Sequence, residues 1–469
     1  MTAPPADQLP RTIGQLRRAG HRRETVKQEM ARNLLGKLRQ GEPLFRGIVG
    51  YDETVVPQIA NAVISGHDVI LLGERGQAKS RLMRSMIELL DATVPMIAGC
   101  EINDHPYAPI CRQCRDLVAR CGDDTEIAWL ERDRRYGEKL ATPDISIADL
   151  IGEVDPIRVA EGRYLADELT IHYGLIPRTN RGIFALNELP DLAERIQVGL
   201  LNIMEEKDVQ IRGYRIRLPL DLFVIASANP EDYTSRGRII TPLKDRFGSQ
   251  VRTHYPLGVG EEMEIMESER ATPPGGIEVV VPGFMREIVA EITHLARRSP
   301  HISQSSGVSV RMSIGNYENL VSNAIRRAVR LGEQLAVPRV SDLGFLAAST
   351  AGRVEIEALD EGKEEQVLSR IQRSAVSTVF GRHLNVSQFE ALVTAFEEGS
   401  MFEVGESLAS PSYVRALRDG QDLGPIVKRL GLPDRPETRA SVIEFVLEGL
   451  HLNKRLNKDE MEGRALYRR

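Results

Sequence analysis

The stretch GERGQAKS, residues 73–80, carries the residue types of a loop that binds phosphate. The pattern for such a loop is glycine, any four residues, glycine, lysine, and serine or threonine. Gly73, Lys79 and Ser80 are in register with it, and Ala78 stands in place of the second glycine. Because backbone N–H groups hold the phosphates, alanine is tolerated there if its torsions are those of a helix start. The pattern predicts that Lys79 reaches the β and γ phosphates and that Ser80 binds Mg²⁺.

Three short apolar runs predict the strands that position this loop. They are HDVILLGE before the loop, then RGIFALNELPDL and DLFVIASANPED further along the chain. Runs of this length that are apolar throughout are typical of strands buried on both faces. Helical periodicity follows the first strand in KSRLMRSMIELL and the second in AERIQVGLLNIMEEK. Strands that alternate with helices predict an α/β fold, with a mostly parallel sheet between helical layers.

Asn187 and Glu188 come at the end of the second predicted strand. Ligand sites of open α/β sheets collect at these strand ends. Hydrolysis of a bound nucleotide needs an acidic residue that orients and polarises the attacking water. Glu188 is our candidate for this base; alternatively, its carboxylate caps a helix or forms a salt bridge.

All four cysteines of the chain, Cys100, Cys111, Cys114 and Cys121, lie in one window. Ten residues separate the first from a C-x-x-C pair, and six residues separate that pair from the last. This spacing suits a tetrahedral thiolate site, and four protein ligands leave no open position, so we predict a structural Zn²⁺. His105 is an alternative to one cysteine. A redox C-x-x-C pair and unliganded thiols are the other interpretations.

The composition is that of a folded protein without bulk attraction to polyanions. Hydrophobic residues make up 42% of the 469 residues, and the formal net charge is −6. The first residues lack the apolar core of a secretory signal, and other apolar runs are too short or too charged to cross a bilayer. We therefore expect a cytoplasmic protein with no membrane insertion. The basic stretch RRAGHRRETVK is interpreted as a solvated helix face.

The patterns divide the chain into four predicted regions. They are a basic helical N-terminal extension (1–45), an α/β core (46–258) with a cysteine-containing insertion at about 97–125, a helical lid domain (275–380) and a C-terminal helical region (381–469). The stretch PPGG at 273–276 is the predicted boundary between the core and the helical part. Within the core, VQIRGYRIRLP alternates apolar and polar residues around Gly213, which predicts a hairpin.

The ordered motifs together resemble the AAA+ ATPases, and among them the branch of the magnesium-chelatase ATPase subunit and the MoxR-type ATPases. The resemblance covers roughly residues 46–350. GERGQAKS looks like the Walker A loop, GIFALNELPDL like Walker B, and FVIASANPED like the sensor 1 strand. PLKDRFG is similar to the segment where this branch carries an arginine, GVSVRMS to sensor 2, and RGIVGYDE to the adenine-side entrance.

The resemblance implies roles for residues that the spacing alone does not identify. Asn229 would position the attacking water, and Arg311 would contact the phosphates from the lid. Arg246 would act in trans as an arginine finger at the next subunit's site, with Arg238 as a second candidate. Val49 would lie near the adenine. The implied ATP and Mg²⁺ site further includes Gly73, Glu74, Arg75, Gly76, Gln77, Ala78, Lys79, Ser80 and Asn187.

The resemblance also implies an activity. It suggests a ring, hexameric by family habit, that uses ATP to remodel a partner carrying a von Willebrand factor A-type domain, or to support metal insertion. Two departures, Ala78 for the Walker A glycine and Asn187 for the Walker B aspartate, lead us to expect slow turnover. The alternatives are a catalytically silent nucleotide-dependent scaffold and a nucleic-acid-acting AAA+ protein, which the acidic net charge disfavours.

Overall fold

The chain forms two compact units, Met1–His254 and Tyr255–Arg469. The computed structural model describes residues 9–155, 168–205, 208–211, 214–229, 238–273, 275–303, 307–357, 362–416, 423–461 and 463–469. In these ranges, no helix combines the length and the apolar character that a bilayer span requires.

The first unit contains the motifs from the phosphate-loop pattern to the sensor 1 strand. Its helices are α1 Ile13–Arg18, α2 Val26–Gln40, α3 Val55–Ile64, α4 Lys79–Ser85, α5 Arg112–Cys121, α6 Ile147–Leu150, α7 Leu175–Arg178, α8 Glu194–Glu205 and α9 Thr241–Arg246. Its strands are β1 Val69–Leu72, β2 Thr93–Ile97, β3 Ile127–Glu131, β4 Tyr136–Leu140, β5 Gly152–Val154, β6 Ile171–Tyr173, β7 Gly182–Asn187, β8 Asp208–Ile211, β9 Tyr214–Arg217, β10 Leu222–Ala228 and β11 Ser249–Arg252.

The central sheet has five strands in the order β11-β1-β10-β7-β4, and all four pairings are parallel. Together with the helices around it, this sheet confirms the predicted α/β core, with a parallel sheet between helices. The strand pairs β2 with β3, β5 with β6, and β8 with β9 are antiparallel and lie outside it. The last of these is the predicted hairpin.

The sheet separates two hydrophobic clusters because successive side chains of a strand point to opposite faces. On β7, Ile183 belongs to one cluster and Phe184 to the other. The continuous apolar runs of the sequence therefore reflect burial on both faces. Helix α2 adds Val26, Met30 and Leu34 to the cluster of Ile183. The predicted N-terminal extension thus packs against the sheet as part of the first unit.

A buried ion pair joins α2 to the beginning of β4. Arg135 is 1% exposed and Glu29 is 5% exposed. The Arg135 guanidinium donates to both Glu29 carboxylate oxygens, at 2.7 and 2.6 Å, and its Nε donates to the Arg181 carbonyl at 2.8 Å. The Asp91 backbone N–H completes the shell of Glu29 at 2.7 Å. Each charge is therefore compensated and hydrogen-bonded, as burial requires.

The N-terminal segment packs against the antiparallel strand pair β2–β3. Ile13 and Leu16 of α1 form a small apolar cluster with Ile127 of β3. The Trp129 indole N–H donates to the Pro10 carbonyl at 2.9 Å, a contact between residues 119 positions apart. The segment and the strand pair thus stabilise each other.

The second unit is largely helical. Its helices are α10 Val259–Glu269, α11 Gly283–Arg298, α12 Arg311–Leu331, α13 Ala347–Thr350, α14 Glu364–His383, α15 Glu390–Glu397, α16 Ser410–Ala416, α17 Gly424–Arg429 and α18 Pro436–Leu452. Its strands are β12 Glu278–Val279, β13 Leu335–Ala336, β14 Phe402–Gly405, β15 Asn457–Met461 and β16 Arg464–Arg468.

Aromatic rings hold the long helices of this unit together. The rings of Phe284 and Phe445 stack with centroids 4.2 Å apart, and Phe380 meets Phe445 edge to face at 5.7 Å. Phe380 lies so close to α18 that a Cβ on Gly449 would be 2.1 Å from its ring. The prediction of a helical C-terminal region is confirmed, but the sequence analysis did not anticipate the antiparallel sheet β14-β16-β15 that accompanies it.

Candidate functional site

The carboxyl ends of three neighbouring strands bring the predicted site residues together. Gly73 follows β1, Asn187 ends β7 with Glu188 next, and Asn229 follows β10. The strands β1, β10 and β7 are adjacent and parallel, so their ends lie along one edge of the sheet. Helix α4 begins at this edge with Lys79 and Ser80.

Lys79 connects the loop to the strand after it. It is 7% exposed, and its ammonium group donates to the carbonyls of Gly73 and of Glu74, the latter at 2.8 Å. It also donates to the Asn229 amide oxygen at 2.9 Å. The predicted phosphate-binding lysine and the predicted sensor residue are therefore in direct contact.

Ala78 has φ 53° and ψ 16°, in the left-handed region, immediately before α4. Alanine is tolerated without cost at this position only with the torsions of a helix start, and Ala78 does not have them. A left-handed conformation costs an L-residue roughly 1–2 kcal/mol, which glycine avoids. Gly76, with φ 78°, supplies a second left-handed position in the loop. The alanine thus places strain in the loop without preventing its formation.

Hydrogen bonds of Gln77, Thr253 and Tyr51 stabilise the inside of the loop, an interaction that the sequence did not predict. The Gln77 side-chain oxygen accepts from the Glu74 backbone N–H at 3.1 Å and from the Thr253 hydroxyl at 2.7 Å. A Cβ on Gly73 would lie 1.9 Å from that hydroxyl, so glycine is required. The Tyr51 hydroxyl donates to the Gln77 carbonyl at 2.8 Å.

The predicted adenine-side segment lies against the same loop. Tyr51 makes the hydrogen bond just described, and Arg81 of α4 is so near Gly47 that a Cβ there would be 2.7 Å from its guanidinium. Val49, between these two contacts, is half-buried. Arg75 is exposed at the outer side of the loop.

Ser80 and Asn187 are also in contact. The Ser80 hydroxyl donates to the Asn187 amide oxygen at 2.8 Å, and the Asn187 amide donates to Glu138 of β4 at 2.6 Å. Arg84 of α4 holds that glutamate with two hydrogen bonds of 2.7 and 2.8 Å. Hydroxyl and amide oxygens are ligands or second-layer partners that suit Mg²⁺.

Glu188 is held in an unusual backbone conformation, with φ 55° and ψ 50°. Its backbone N–H donates to the Ser227 hydroxyl of β10 at 3.1 Å, and its side chain is half-buried. Left-handed torsions in a non-glycine residue persist only where the surroundings impose them, and they concentrate at functional sites. The conformation turns the chain sharply as it leaves β7.

Two of the three predicted arginines, Arg246 and Arg238, belong to the first unit and make no described contact with this network. Arg246, at the end of α9, is 44% exposed and forms an ion pair with Glu205 of α8. Arg238 is exposed. Arg311 begins α12 in the second unit and is exposed. The structure therefore shows the first two as surface groups of the unit that contains the loop.

Three of the four cysteines meet in a buried cluster with a carboxylate. The ligand atoms of Cys100, Asp104, Cys111 and Cys114 all lie within 4.8 Å of one another. Asp104 is 0% exposed; its Oδ2 accepts from the backbone N–H groups of Ile110 and Cys111 at 3.0 and 2.9 Å. Its Oδ1 has no hydrogen-bond partner. A buried oxygen left in this way is suited to a metal ion.

The charges in this cluster also favour a bound cation. Hydrogen bonds from Cys111 and Cys114 lower the pKa of the Cys100 thiol to about 3. Burial and the Cys100 charge raise the pKa of Asp104 to about 6. A thiolate and a carboxylate so close together repel one another unless a cation lies between them.

Cys121 and His105 lie outside the described cluster. Cys114 and Cys121 belong to the same helix, α5, and seven residues of helix span about 10 Å along the axis. Cys121 is exposed, so Asp104 occupies the place in the cluster that the spacing assigned to the fourth cysteine. His105 is buried, and burial together with the Arg181 charge lowers its pKa to about 3.

The parallel sheet, with a glycine-containing loop between β1 and α4, has the strand–loop–helix arrangement of a P-loop protein. No protein-family model matches the chain. It is 29% identical over 248 residues to magnesium-chelatase subunit ChlI of Nicotiana tabacum, which covers 50% of this chain and 52% of that subunit. It is 24% identical over 361 residues to the ChlI subunit of Nephroselmis olivacea, covering 70% and 94%. The chain is therefore similar to the ATPase subunits of magnesium chelatase, as its motifs predict.

Other relatives extend this comparison. A ChlI homolog of Methanocaldococcus jannaschii is 26% identical over 229 residues, which cover 48% of this chain and 58% of that protein. The chain thus spans about half the length of the tobacco and archaeal relatives. A cryo-EM-based structure of the BchI–BchD complex of magnesium chelatase covers 68% of this chain and 98% of its own, at 20% identity and a TM-score of 0.36.

Proposed function

We propose that this protein binds ATP with Mg²⁺ at the edge of the central sheet and hydrolyses it. The observation that supports this most directly is the position of the Lys79 ammonium group, between the carbonyls of Gly73 and Glu74 and the Asn229 amide oxygen. Backbone N–H groups at a helix start and a lysine beside them form the binding surface for the β and γ phosphates.

Each residue around the loop then has a separate role in binding or hydrolysis. The Ser80 hydroxyl and the Asn187 oxygen fit the Mg²⁺ shell, and the bound ion supplies charge neutralisation at the phosphates. Glu188, at the turn after β7, accepts the proton of the attacking water. Asn229 orients that water when Lys79 moves onto the phosphates. The segment around Val49 receives the adenine.

Slow turnover is part of the proposal. Asn187 contributes no negative charge where the family has an aspartate, and a lost outer-layer partner weakens metal binding by roughly 10–100-fold. Ala78 is strained in the left-handed region. Both effects reduce the rate or the affinity without removing the chemical groups that hydrolysis requires.

Phosphate release by the purified protein with ATP and Mg²⁺ tests this activity. Lys79→Ala is expected to abolish nucleotide binding, and Glu188→Gln to abolish turnover while leaving binding intact. Lys37→Ala is the matched control, because Lys37 lies on α2 and has only loose ion pairs of 3.7 and 3.9 Å. Turnover that survives Glu188→Gln would falsify the assignment of the base. Nucleotide binding without turnover in the wild type would support the silent scaffold instead.

We propose further that the protein works as a ring, hexameric by its resemblance, with Arg246 completing the site of the next subunit. Its exposed guanidinium forms an ion pair with Glu205 at the surface, and exposed ion pairs are weak. Arg246→Ala, and as a second candidate Arg238→Ala, should reduce turnover with little change in ATP affinity.

Mixing two inactive variants tests action in trans. Arg246→Ala keeps an intact site, and Glu188→Gln keeps an intact arginine. A mixed ring therefore contains sites that have both groups, and partial recovery of phosphate release is expected. Absence of recovery, with mixed rings confirmed by sedimentation, would contradict the assignment in trans.

The remodelling activity is proposed from the relatives, which are magnesium-chelatase subunits. We propose that ATP turnover drives a conformational change in a partner with a von Willebrand factor A-type domain, or supports metal insertion. Stimulation of phosphate release by such a partner, lost in Lys79→Ala, is the expected result. Stimulation by DNA instead, declining as salt rises, would favour the nucleic-acid alternative.

We also propose that Cys100, Asp104, Cys111 and Cys114 hold a structural Zn²⁺. The unpartnered Asp104 Oδ1 and the three clustered thiols support this ligand set. Three thiolates and a carboxylate are suitable zinc ligands. Metal analysis should give one zinc per chain, and Cys114→Ser or Asp104→Ala should lower it. Cys121→Ser is the matched control; zinc lost in this variant alone would restore the four-cysteine prediction.

A further inference from the structure

The Asn187 amide has a defined orientation because the groups on its two sides differ in chemistry: a carboxylate on one side and the hydroxyls of Ser80 and Ser227 on the other. Glu138 is a carboxylate, which accepts hydrogen bonds and has none to donate when ionised. The Asn187 NH₂ group must therefore face Glu138, at 2.6 Å, and its oxygen must face the Ser80 hydroxyl, at 2.8 Å. The glutamate decides which end of the amide points towards the nucleotide loop.

Glu138 is itself fixed. Its side chain is 20% exposed, and the Arg84 guanidinium binds it with a two-pronged pair of hydrogen bonds at 2.7 and 2.8 Å. Arg84 lies four residues after Ser80 on α4, so both side chains are on the same face of the helix. Ser80, Asn187, Glu138 and Arg84 thus form one continuous chain of contacts from α4 through β7 and β4 back to α4.

The carboxylate remains charged in this setting. The Arg84 guanidinium, always a cation, binds both of its oxygens, and the Asn187 amide donates a further hydrogen bond to it. A negative charge is thus present one hydrogen bond away from the residue that lacks it.

We propose that Glu138 is the positioning residue of the Mg²⁺ site and supplies the negative charge that Asn187 lacks. It orients the Asn187 oxygen towards Ser80 and polarises the amide, because linked hydrogen bonds strengthen one another. The inference rests on the proposed ATP and Mg²⁺ binding. Asn187 and Glu138, on the neighbouring strands β7 and β4, would then together take the role of the single aspartate found in the family.

A charge exchange between the two positions provides the test. Binding of the fluorescent probe mant-ATP is titrated in the full-length protein, with increasing Mg²⁺ and separately in EDTA. Glu138→Gln should raise the Mg²⁺ concentration needed for half-maximal enhancement by roughly 10–100-fold, the usual effect of losing an outer-layer partner. Affinity for mant-ATP in EDTA should not change, because Glu138 touches none of the phosphate-binding groups.

The double variant Glu138→Gln with Asn187→Asp should restore the wild-type Mg²⁺ requirement. It moves the carboxylate to position 187 and places an amide donor at 138. A residue that only stabilises the fold would show no such recovery. Arg84→Met removes the cation that fixes Glu138 and should raise the Mg²⁺ requirement in the same direction. Lys37→Ala is the control: Lys37 lies on α2, with ion pairs of 3.7 and 3.9 Å, and its loss should leave the Mg²⁺ requirement unchanged.

Two results would overturn the inference: a Glu138→Gln protein with an unchanged Mg²⁺ requirement, or a double variant that remains as impaired as the single one. Trp129 fluorescence of each variant shows that the first unit is folded. Failure of the wild-type protein to bind mant-ATP at all would instead refute the proposed function. The two failures are therefore distinguishable.

Discussion

The buried pair of Arg135 and Glu29 makes a sharp test of how the first unit is held together. Arg135→Met leaves the Glu29 carboxylate buried with only the Asp91 N–H as a partner. Glu29→Met leaves the Arg135 guanidinium with the Arg181 carbonyl as its remaining hydrogen-bond partner and no negative charge beside it. Removing one partner of a buried ion pair costs about 3–5 kcal/mol, since an uncompensated charge remains. The double variant has no such charge and should be no less stable than either single variant.

The chain offers a selective probe for this measurement. Trp129 is its single tryptophan and lies in β3, within the first unit. Urea titration followed by tryptophan fluorescence therefore reports the free energy of unfolding of that unit. For a unit of this size, a loss of about 3–5 kcal/mol also lowers the melting temperature by roughly 6–20 °C.

Arg32→Met is the matched control, because Arg32 also lies on α2 but is 46% exposed and pairs with Glu24 and Asp91 at the surface. Its loss should cost no more than about 1 kcal/mol. The reasoning would be refuted if Arg135→Met were as mild as this control, or if the losses of the two single variants simply added in the double.

Three further predictions concern single positions. Ala78→Gly should remove left-handed strain, although the greater entropy of glycine in the unfolded chain offsets part of the benefit. We expect the free energy of unfolding, measured by urea titration, to rise by up to about 1 kcal/mol; a clear decrease would contradict the strain. Burial lowers the pKa of His294, which favours the neutral imidazole in the folded unit. The stability of the second unit should therefore be full above about pH 6.5 and fall as the pH decreases. Hydrogen exchange of α11 measures this dependence, and His294→Gln should flatten it. Gly449→Ala should cost about 1–3 kcal/mol against the Phe380 ring; Gly381→Ala, with no neighbour within 4 Å of the new Cβ, should be neutral or stabilising by thermal melting.

The sequence was most informative where a strand is buried on both faces. The apolar runs of β1, β7 and β10 predict the three central strands. The strands β4 and β11 escaped prediction because they form the two edges of the sheet and contain charged residues, as YGEKL and SQVR show. An edge strand packs against fewer neighbours, so its sequence carries a weaker pattern.

The same difference applies to the site. Lys79 and Ser80 follow a local motif, and Asn187, Glu188 and Asn229 stand at ends of recognisable strands. Glu138 comes from an edge strand, and Thr253 follows the other edge strand, so neither had a local signal. The positive φ of Ala78 depends on how the whole loop closes. Asp104 had a signal, since it is a carboxylate inside the cysteine window, whereas excluding Cys121 required the length of α5.

The contact between Pro10 and Trp129 has a consequence for synthesis. The N-terminal segment emerges from the ribosome well before β3, whose Ile127 packs against Ile13 and Leu16. Closing a loop of this length costs roughly 4 kcal/mol of chain entropy. Because so few apolar side chains make the contact, we expect it to form only after β2 and β3 have paired. The part of the first unit that is made first is therefore expected to be fixed among the last.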